Sequence, residues 1–523
     1  MMESLGEEPW DVVICGTGLQ QSLLALALSR SKKRILHIDP NDYYGEHEAA
    51  FSLQEADSWA ANHADVSEAR DLNAEAGSTR EATSKNAIFK NASVWKHPEA
   101  TDIGLSFPRA YSLALAPQII HTRSKLLEQL VSSRAYRQVE FLAVGSFFVY
   151  DAKASDASSK LARIPSSRED VFSTQSIPVK SKRSLMKFLK FVIDYDSEEQ
   201  KPTWDGQEDK PLSEFLASAF KLDENLQKYI LALTLTLDGR VTVADGLATI
   251  HRHLTSMGLF GPGFCAVYPK WGGLSEVAQV ACRAGAVGGA IYMLDTEAET
   301  KDAANDDEMT LNLSNDLSVR TTKLIISQHE AVPGSQSITR LVVVVNSPLT
   351  ALFEVVVEGA PTPAVAVVAF PGSTATEDSN TVSEAPIYAL VHSSDAGECP
   401  VGQSVIYLTT LAAPQSAHRL ESALDALLFA ATPPDSPKPV CLYKLQYEQS
   451  LSPRESSRTT SGNISTFAFP SPSLNLAFDD SCLGAVEDAW KLVMGQDASE
   501  NEYMVFQDRE GVDDDNEVYD SVA

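Results

Sequence analysis

The 523-residue chain has few cysteines, and none has the spacing of metal ligands. Its six cysteines are scattered and form no CxxC or CxxH pair, which argues against a zinc site. Several lie in apolar runs, where buried free thiols are common. The sequence therefore predicts reduced cysteines and no bound metal, as is typical of a cytosolic protein.

Long apolar runs and positive charge are also scarce. No run of about 18 apolar residues occurs, so no transmembrane helix is expected. The acidic start MMESLGEEPW lacks the basic and apolar regions of a signal peptide. With 42 basic and 71 acidic residues, the formal net charge is −29, which argues against binding to nucleic acid or, by charge alone, to anionic lipid. We expect a cytoplasmic protein.

Catalytic signatures are missing as well, since the chain has no GxSxG elbow, HExxH motif or P-loop. His251 and His253 lie in one predicted helix and His121 in another. Histidines in such places are more often surface residues or hydrogen-bonded core residues than catalysts. Adjacent carboxylates such as Glu198 and Glu199 are typical of a solvated face. We therefore expect no catalytic residues.

The stretch DVVICGTGLQQSLLALALSRSKKRILHID, residues 11–39, predicts a strand, a glycine turn, a helix and a second strand. In a dinucleotide-binding GxGxxG turn, the third glycine lets the helix pack closely on the strand. Gly16 and Gly18 fill the first two glycine positions, but Gln21 fills the third. Asp39 lies where an acidic residue would hold the ribose. The pattern predicts a Rossmann-like fold and leaves flavin or nicotinamide binding open.

The rest of the chain predicts a discontinuous α/β (α+β) domain with a smaller, all-helical inserted domain. Residues 166–258 have helical periodicity, as in SKRSLMKFLKFVIDY. Residues 321–412 contain runs such as KLIIS, ITRLVVVVN and LFEVVVEG, which predict strands of a large, mostly antiparallel sheet. The predicted large domain comprises residues 1–165 and 266–523, and the helical domain comprises residues 166–265.

Three segments lack clear periodicity. Residues 54–100 are rich in Ala, Glu, Ser, Asn and Asp, and we expect most of them to form a mobile insert. Residues near 432–473 are rich in proline and serine, which is typical of a loop. The acidic residues 497–523 are expected to be a disordered tail.

Several blocks resemble the superfamily that contains Rab GDP dissociation inhibitors and Rab escort proteins. The first runs from GTGL through HID to Tyr43, Tyr44 and Gly45, and that family also lacks the third glycine. Similar blocks are SLALAPQIIHTRSKLLEQL, YPKWGGLSEVAQVACRAGAVGGAIYML, GQSVIYLTTLA and LNLAFDDSCLGAVEDAWKLVMG. The resemblance covers nearly the whole chain. It implies a large domain like that of FAD-dependent oxidoreductases, with the glycine turn as a retained scaffold and no cofactor.

Three features resemble the escort branch of that superfamily. These are the insert and acidic tail, the block FSLQEADSW with Trp59, and the element at Arg168, Asp170, Val171 and Phe172. Divergent details are typical of a fungal-type member. The resemblance implies a non-catalytic protein that binds newly made Rab GTPases in the GDP form and presents them to the Rab geranylgeranyltransferase heterodimer. It would hold the attached geranylgeranyl groups and touch membranes transiently. A dissociation inhibitor that recycles prenylated Rabs and a FAD-dependent oxidoreductase remain alternatives.

The resemblance also implies which residues bind Rab. Tyr43, Glu276, Arg283, Tyr292 and Met293 match Rab-contacting positions of the family. The block YPKWGGLSEV has one residue more than the family pattern, so Glu276 could be displaced into the loop. An internal ion pair of Arg283 and a packing role of Tyr43 or Met293 are the alternatives.

Phe188 and Phe191 lie on the predicted helix SLMKFLKFVIDY, which the resemblance places near the transferase. Leu185, Leu189 and Val192 are expected to face the core of the helical domain. We expect Phe191 to lie at the exposed edge of the helix and to contact the transferase. An ordinary place in the helical core is the alternative for both phenylalanines.

Overall fold

The computed structural model describes residues 5–64, 88–154, 159–165, 171, 178–305, 307–327, 335–355, 357–372, 385–451 and 454–508. Three sequence predictions therefore lie at least partly outside the described residues. These are residues 65–87 of the predicted insert, the escort-like positions Arg168, Asp170 and Phe172, and the acidic tail from residue 509.

Helices occur throughout the described part of the chain. None of them is long and apolar enough to cross a membrane. Their bounds are α1 (Leu19–Leu28), α2 (Leu53–Asn62), α3 (Lys125–Ser132), α4 (Val179–Ile193), α5 (Leu212–Phe220), α6 (Glu224–Leu233), α7 (Val243–Ser256), α8 (Leu274–Val287), α9 (Ser416–Ala431) and α10 (Ser481–Met494).

The strands form two large sheets and two small ones. Their bounds are β1 (Val12–Cys15), β2 (Ile35–Ile38), β3 (Ala50–Phe51), β4 (Phe89–Lys96), β5 (Leu113–Ala114), β6 (Ile120–His121), β7 (Phe141–Tyr150), β8 (Leu161–Arg163), β9 (Ala266–Pro269), β10 (Ile291–Met293), β11 (Ala298–Asn305), β12 (Glu308–Leu313), β13 (Ser318–Thr321), β14 (Lys323–Ile326), β15 (Gln336–Val345), β16 (Val365–Phe370), β17 (Ile387–Ser393), β18 (Ser404–Leu411), β19 (Cys441–Leu451), β20 (Ser457–Ser461) and β21 (Ile464–Ala468).

The first large sheet has the order β10-β2-β1-β14-β21-β20, and all neighbours except β21 and β20 are parallel. Helices α1, α8 and α10 cover one face, and residues of β12 and β13 cover the other. Strands buried on both faces carry continuous apolar runs such as VVIC in β1 and LII in β14. The predicted Rossmann-like β1-α1-β2 unit is confirmed.

The second sheet has the order β4-β19-β15-β18-β17-β16-β7-β9-β6, with β8 paired to β7. Its pairs are antiparallel except for β16 and β7, so the predicted large, mostly antiparallel sheet is confirmed. Two details of the prediction were wrong. The run KLIIS supplies β14 of the parallel sheet, where Leu324 pairs with Val13. The run LFEVVVEG forms no strand in its described part, because the chain enters a 3₁₀ turn at Thr350–Leu352.

Two segments predicted to lack regular structure contain elements. The predicted insert includes α2 and β4, because a capping box between Ser52 and Glu55 starts the helix and its Trp59 is buried in the core. The predicted loop near 432–473 contains β19, β20 and β21. Strand β19 lies between β15 and β4, so its pairing depends on residues about 100 and 350 positions earlier in the chain.

The start of the predicted acidic tail is also ordered. Met504 is fully buried and Phe506 nearly so, and both pack into the core that α1 and α10 share. The backbone N–H of Phe506 donates to the Ser132 carbonyl at 3.0 Å. These two apolar side chains lie nine and seven residues before the run of aspartates that starts at position 513, and they hold this part of the tail on the domain.

Helices α4 to α7 share a hydrophobic core of their own. Phe188 is fully buried there and Phe191 is 5% exposed, so the prediction that Phe191 lies at an exposed edge was wrong. The Phe191 ring centroid lies 5.0 Å from that of Phe220 and 6.1 Å from that of Phe215. Leu185 and Val192 are buried as predicted, whereas Leu189 is only partly buried. Whether this helix takes part in transferase binding stays a prediction.

Candidate functional site

The glycine turn after β1 is closed by acidic side chains of the chain itself. Gly16 has a φ of 95°, as its tight turn requires. A Cβ added to Gly18 would lie 2.6 Å from Oε2 of Glu46, so this carboxylate packs directly on the turn. The N–H of Leu19, the first residue of α1, donates to Oε2 of Glu48 at 3.3 Å. Two carboxylates thus lie where a helix N-terminus favours negative charge.

Asp39 and Gln21 are also engaged within the protein. Oδ2 of Asp39 accepts from both N–H and Oγ1 of Thr17 at 2.6 Å, and its Oδ1 accepts from the N–H of Asn41 at 2.8 Å. Nε2 of Gln21 donates to Oγ of Ser327, which ties α1 to the end of β14. Asp39 is fully buried and Gln21 nearly so. None of these groups is left over to hold a nucleotide.

These residues do not fit the dinucleotide that related folds bind. A pyrophosphate at this turn would lie against the Glu46 carboxylate, and two like charges at that distance repel. A ribose would find both oxygens of Asp39 already hydrogen-bonded. The turn keeps the backbone geometry of a cofactor site. Its polar groups, however, bind other side chains of this protein and stabilise the fold.

The buried carboxyl of Asp39 gives a testable pH dependence. Burial, followed by the charge of Glu46, raises the pKa of Asp39 from 3.8 to about 6. The folded protein then holds this proton more tightly than the unfolded chain, so stability falls as pH rises through this range and stays level above it. The difference corresponds to about 3 kcal/mol. We expect Asp39→Asn to flatten the dependence of the unfolding free energy on pH between about 4 and 7.

The measurement is urea unfolding of the unsubstituted protein and of the Asp39→Asn variant at a series of pH values. Asp102→Asn, which changes an exposed carboxyl, serves as the control. If the Asp39→Asn curve ran parallel to that of the unsubstituted protein, the carboxyl of Asp39 would not be the cause of the slope.

The loop that leads into α8 is held by a buried polar network. Oε1 of Glu398 accepts from Oη of Tyr268, its Oε2 accepts from Oη of Tyr407, both at 2.8 Å, and Nδ1 of His392 lies 2.7 Å from Oε2. Burial, followed by the Glu398 charge, holds the pKa of Tyr268 well above its usual value, so this hydroxyl stays a donor. A Cβ on Gly273 would lie 2.7 Å from Oη of Tyr268. The network therefore requires glycine at the start of α8.

Glu276 is not displaced by the extra residue in the preceding block. It is the third residue of α8, and its N–H donates to the Gly273 carbonyl at 3.1 Å. Trp271, at φ 74°, and Gly272 absorb the extra length in the loop. Burial raises the pKa of Glu276, which is half-buried. Arg283 follows seven residues later, hence on the same side of the helix and about 10 Å further along.

Tyr43, Tyr292 and Met293 lie at the carboxyl end of β2. Strand β10 pairs in parallel with β2, so Tyr292 lies beside His37 and Met293 beside Ile38. The Tyr292 ring is 4.7 Å from that of His37, and a Cβ on Gly285 of α8 would lie 2.5 Å from the Tyr292 hydroxyl. These inward contacts give Tyr292 a packing role between β10 and α8, independently of the predicted role in Rab binding.

Tyr43 and Met293 are each half-buried. The Tyr43 ring packs edge-to-face on Phe51 at 4.9 Å, and Met293 packs against the core that β12 and β13 cover. Both also leave part of their surface accessible. The structure thus places Tyr43 after β2, Tyr292 and Met293 in β10, and Glu276 in the first turn of α8.

Arg283 belongs to a basic cleft that the sequence did not reveal. Arg30, Arg134, Arg137 and Arg283 line a cleft of about 380 Å³ beside the far end of α8. Asp508 pairs with Arg134 at 3.4 Å and Arg137 at 3.0 Å. Within the described part of the chain, Arg283 makes no ion pair, so the alternative of an internal pair is not supported. Arg134 and Arg137 are neighbours in the sequence, but Arg30 and Arg283 each lie more than 100 residues from them, so no local pattern could have joined the four.

Exposed apolar residues lie at both ends of α8. Trp271 is 52% exposed beside the first turn, and Val287, the last residue, is 60% exposed. Large exposed apolar side chains next to unpaired charge are typical of a protein interface. The signal for Trp271 was present in the sequence as an aromatic residue directly before two glycines.

Comparisons with known proteins point to one family. A family model described as GDP dissociation inhibitor matches residues 5–81 and 71–354. The protein of Saccharomyces cerevisiae named Rab proteins geranylgeranyltransferase component A is 31% identical over 431 residues, covering 80% of this chain and 64% of that protein. The protein of the same name from Candida albicans is 28% identical over 432 residues, covering 80% and 62%. The chain thus spans slightly less than two thirds of the length of these relatives.

Solved structures agree on the fold. A crystal structure of Rab GDI from Plasmodium falciparum superposes with a TM-score of 0.61 at 18% identity, covering 93% of this chain and 98% of that one. An oxidoreductase from Methanosarcina mazei gives a TM-score of 0.53 at 12% identity, covering 93% and 100%. The predicted resemblance of the large domain to oxidoreductase folds is confirmed.

Proposed function

Because the chain belongs to the GDP dissociation inhibitor family, we propose that it is an escort protein that binds Rab GTPases and presents them to a Rab geranylgeranyltransferase. The observation that carries this proposal is the 31% identity to the yeast protein named component A of that transferase, over 80% of this chain. In this role the chain is an accessory component and not a catalyst. Its Rab partner is newly made and in the GDP form, and the chain then carries the lipidated Rab to a membrane.

The Rab-binding surface of the proposal is the side of the large domain that α8 presents. Glu276 and Arg283 supply charges of opposite sign on one side of this helix, about 10 Å apart. Trp271 supplies an exposed apolar anchor beside them. Such a mixed surface suits a protein partner, since charged pairs fix the orientation and the aromatic ring supplies buried area.

The lipid needs a groove, because each CH₂ buried from water contributes roughly 0.8 kcal/mol. A groove of about 780 Å³ runs between α5, α6 and the ends of β16 and β17, two interior strands of the large sheet. Leu231, Ala232, Val241 and Tyr388 contribute apolar surface to it, and charged residues such as Glu224, Lys228 and Asp238 line its other parts. We propose that the geranylgeranyl groups of the bound Rab lie in this groove, which has the volume of a small-molecule site. The outer face of the helical insert would then be the side that meets the transferase.

The test is a reconstituted prenylation assay. The purified chain is mixed with an unprenylated Rab loaded with GDP and with the transferase heterodimer, and incorporation of labelled geranylgeranyl is followed. We expect the chain to bind the unprenylated Rab and to stimulate transfer in proportion to its concentration until the Rab is saturated. Transfer that proceeds equally well without the chain would overturn the proposal.

The same experiment separates the two alternatives. A dissociation inhibitor would bind only after prenylation and would not stimulate transfer. An oxidoreductase would carry a flavin, so the purified protein would absorb in the flavin bands and release a yellow cofactor on denaturation. The carboxylates at the glycine turn argue for a colourless protein.

A further inference from the structure

A buried cluster of potential metal ligands lies at the junction of the helical insert and the large sheet. His121 ends β6, His253 lies in the last turn of α7, and Cys265 directly precedes β9. One ligand atom from each residue lies within 4.8 Å of the other two. The Cys265 Sγ is 3.5 Å from Nδ1 of His253 and 3.7 Å from its Nε2.

His121 has no hydrogen-bond partner for either ring nitrogen among the described residues. Its side chain is only 2% exposed, so water does not supply a partner from the surface. A buried polar group without a partner is costly, and native structures usually satisfy it. Its imidazole points into the cluster with His253, whose ring centroid is 5.8 Å away. A metal ion is the partner that an imidazole beside a second imidazole and a thiol would take.

We propose that His121, His253 and Cys265 form a three-coordinate site for copper(I). Bond lengths of about 2.0–2.3 Å place the ligand atoms of a trigonal site roughly 3.7 Å apart. The pair of Cys265 and His253 already has this spacing, so His121 would need to approach by about 1 Å.

Charge decides between copper(I) and zinc. A thiolate, two neutral imidazoles and a monovalent cation sum to zero, whereas a divalent cation would leave one net positive charge in a fully buried, largely apolar place. The Phe147 ring, 4.9 Å from that of His253, occupies one side of the cluster. Structural zinc sites use four ligands, and the cluster offers three. Soft thiolate with imidazole suits copper(I).

A metal ion binds these side chains as neutral imidazoles and a thiolate. Burial raises the pKa of the Cys265 thiol to about 12. Cys265 must therefore release its proton to solvent when the copper–sulfur bond forms. The copper is not oxidised or reduced in this step.

Copper binding would cross-link two parts of the fold. His253 belongs to the helical insert, and His121 pairs through β6 with Ala266 of β9, next to Cys265. An ion that binds only the folded state raises its stability by mass action. We expect copper(I) to raise Tm by several degrees and to slow hydrogen exchange in α7.

The experiment titrates the full chain with copper(I) buffered by bicinchoninate under anaerobic conditions. One equivalent should bind, and X-ray absorption at the copper edge should show one sulfur and two nitrogen neighbours. Cys265→Ser and His121→Gln should each weaken binding more than about 100-fold. Cys282→Ser removes another buried thiol, which pairs with Ser22 at 3.2 Å, and should bind copper normally.

Three results would overturn the proposal. The first is failure of the unsubstituted chain to take up a stoichiometric equivalent. The second is a copper edge with two or more sulfur neighbours, which does not depend on whether any variant folds. The third is tighter binding of Zn²⁺ than of copper(I), which would refute the charge argument. Rab binding is measured in parallel, so failure of the escort function would be seen separately.

Discussion

Replacement of Phe191 by alanine is expected to lower the unfolding free energy of the helical insert by about 3–5 kcal/mol. Its ring fills the space between those of Phe215 and Phe220, at 6.1 and 5.0 Å, and is 5% exposed. Removal of the ring leaves a cavity that α4 and α5 can close only in part. Urea unfolding together with hydrogen exchange, resolved by peptide, will show whether the loss falls on α4 to α7.

Two control variants test whether the lost stability comes from the buried volume of the Phe191 ring. Phe191→Leu keeps most of the volume and should cost less than about 1.5 kcal/mol. Ile193→Ala, two residues along the same helix at a site that is 49% exposed, should be close to neutral. A stable Phe191→Ala protein that binds Rab normally but loses the transferase would instead make this ring an interface anchor.

The elements predicted well are those whose signal is local. An apolar run, two glycines and a second apolar run predict β1, the turn and β2 without information from distant residues. In the block YPKWGGLSEV, the match to the family predicted Glu276 as a contact residue beside a glycine-containing loop with one extra residue. The extra residue in that loop left Glu276 in the helix, because Trp271 and Gly272 both adopt positive φ and absorb it.

The errors arise where distant residues decide the outcome. Strand β19 looked like a loop because its partners β15 and β4 are far away in sequence. Phe191 was expected at an edge because one apolar stripe was assigned to α4. The helix in fact contacts both α5 and α7, which widens its buried arc until positions 188 and 191 fall inside it.

The sequence near the glycine turn also did not predict which side chains occupy it. Glu46 and Glu48 lie nearly 30 residues after the turn, and a 3₁₀ turn that starts after Gly45 brings them onto it. In the sequence, nothing distinguishes these two glutamates from the many other acidic residues. The cluster of His121, His253 and Cys265 was missed for the same reason, since its members share no spacing rule.

Replacement of Arg283 by alanine is expected to weaken Rab binding by about 2–5 kcal/mol if Rab buries the guanidinium, which corresponds to roughly 30-fold or more in Kd. Arg283 is exposed on α8 and, among the described residues, makes no ion pair. Its loss therefore leaves no buried carboxylate in this protein unpaired, and Tm should not change. The measurement is titration with an unprenylated, GDP-loaded Rab, alongside thermal unfolding.

Two further variants separate a direct contact from general charge. Arg183→Ala removes another exposed arginine, on α4 of the helical insert, and should leave Rab affinity unchanged. Arg283→Lys keeps the charge but loses the planar fork of donors. Recovery of affinity in Arg283→Lys would indicate attraction at a distance through the basic cleft, whereas a loss close to that of alanine would indicate paired hydrogen bonds to a Rab carboxylate. Unchanged affinity in Arg283→Ala, with normal Tm, would remove this residue from the Rab-binding surface.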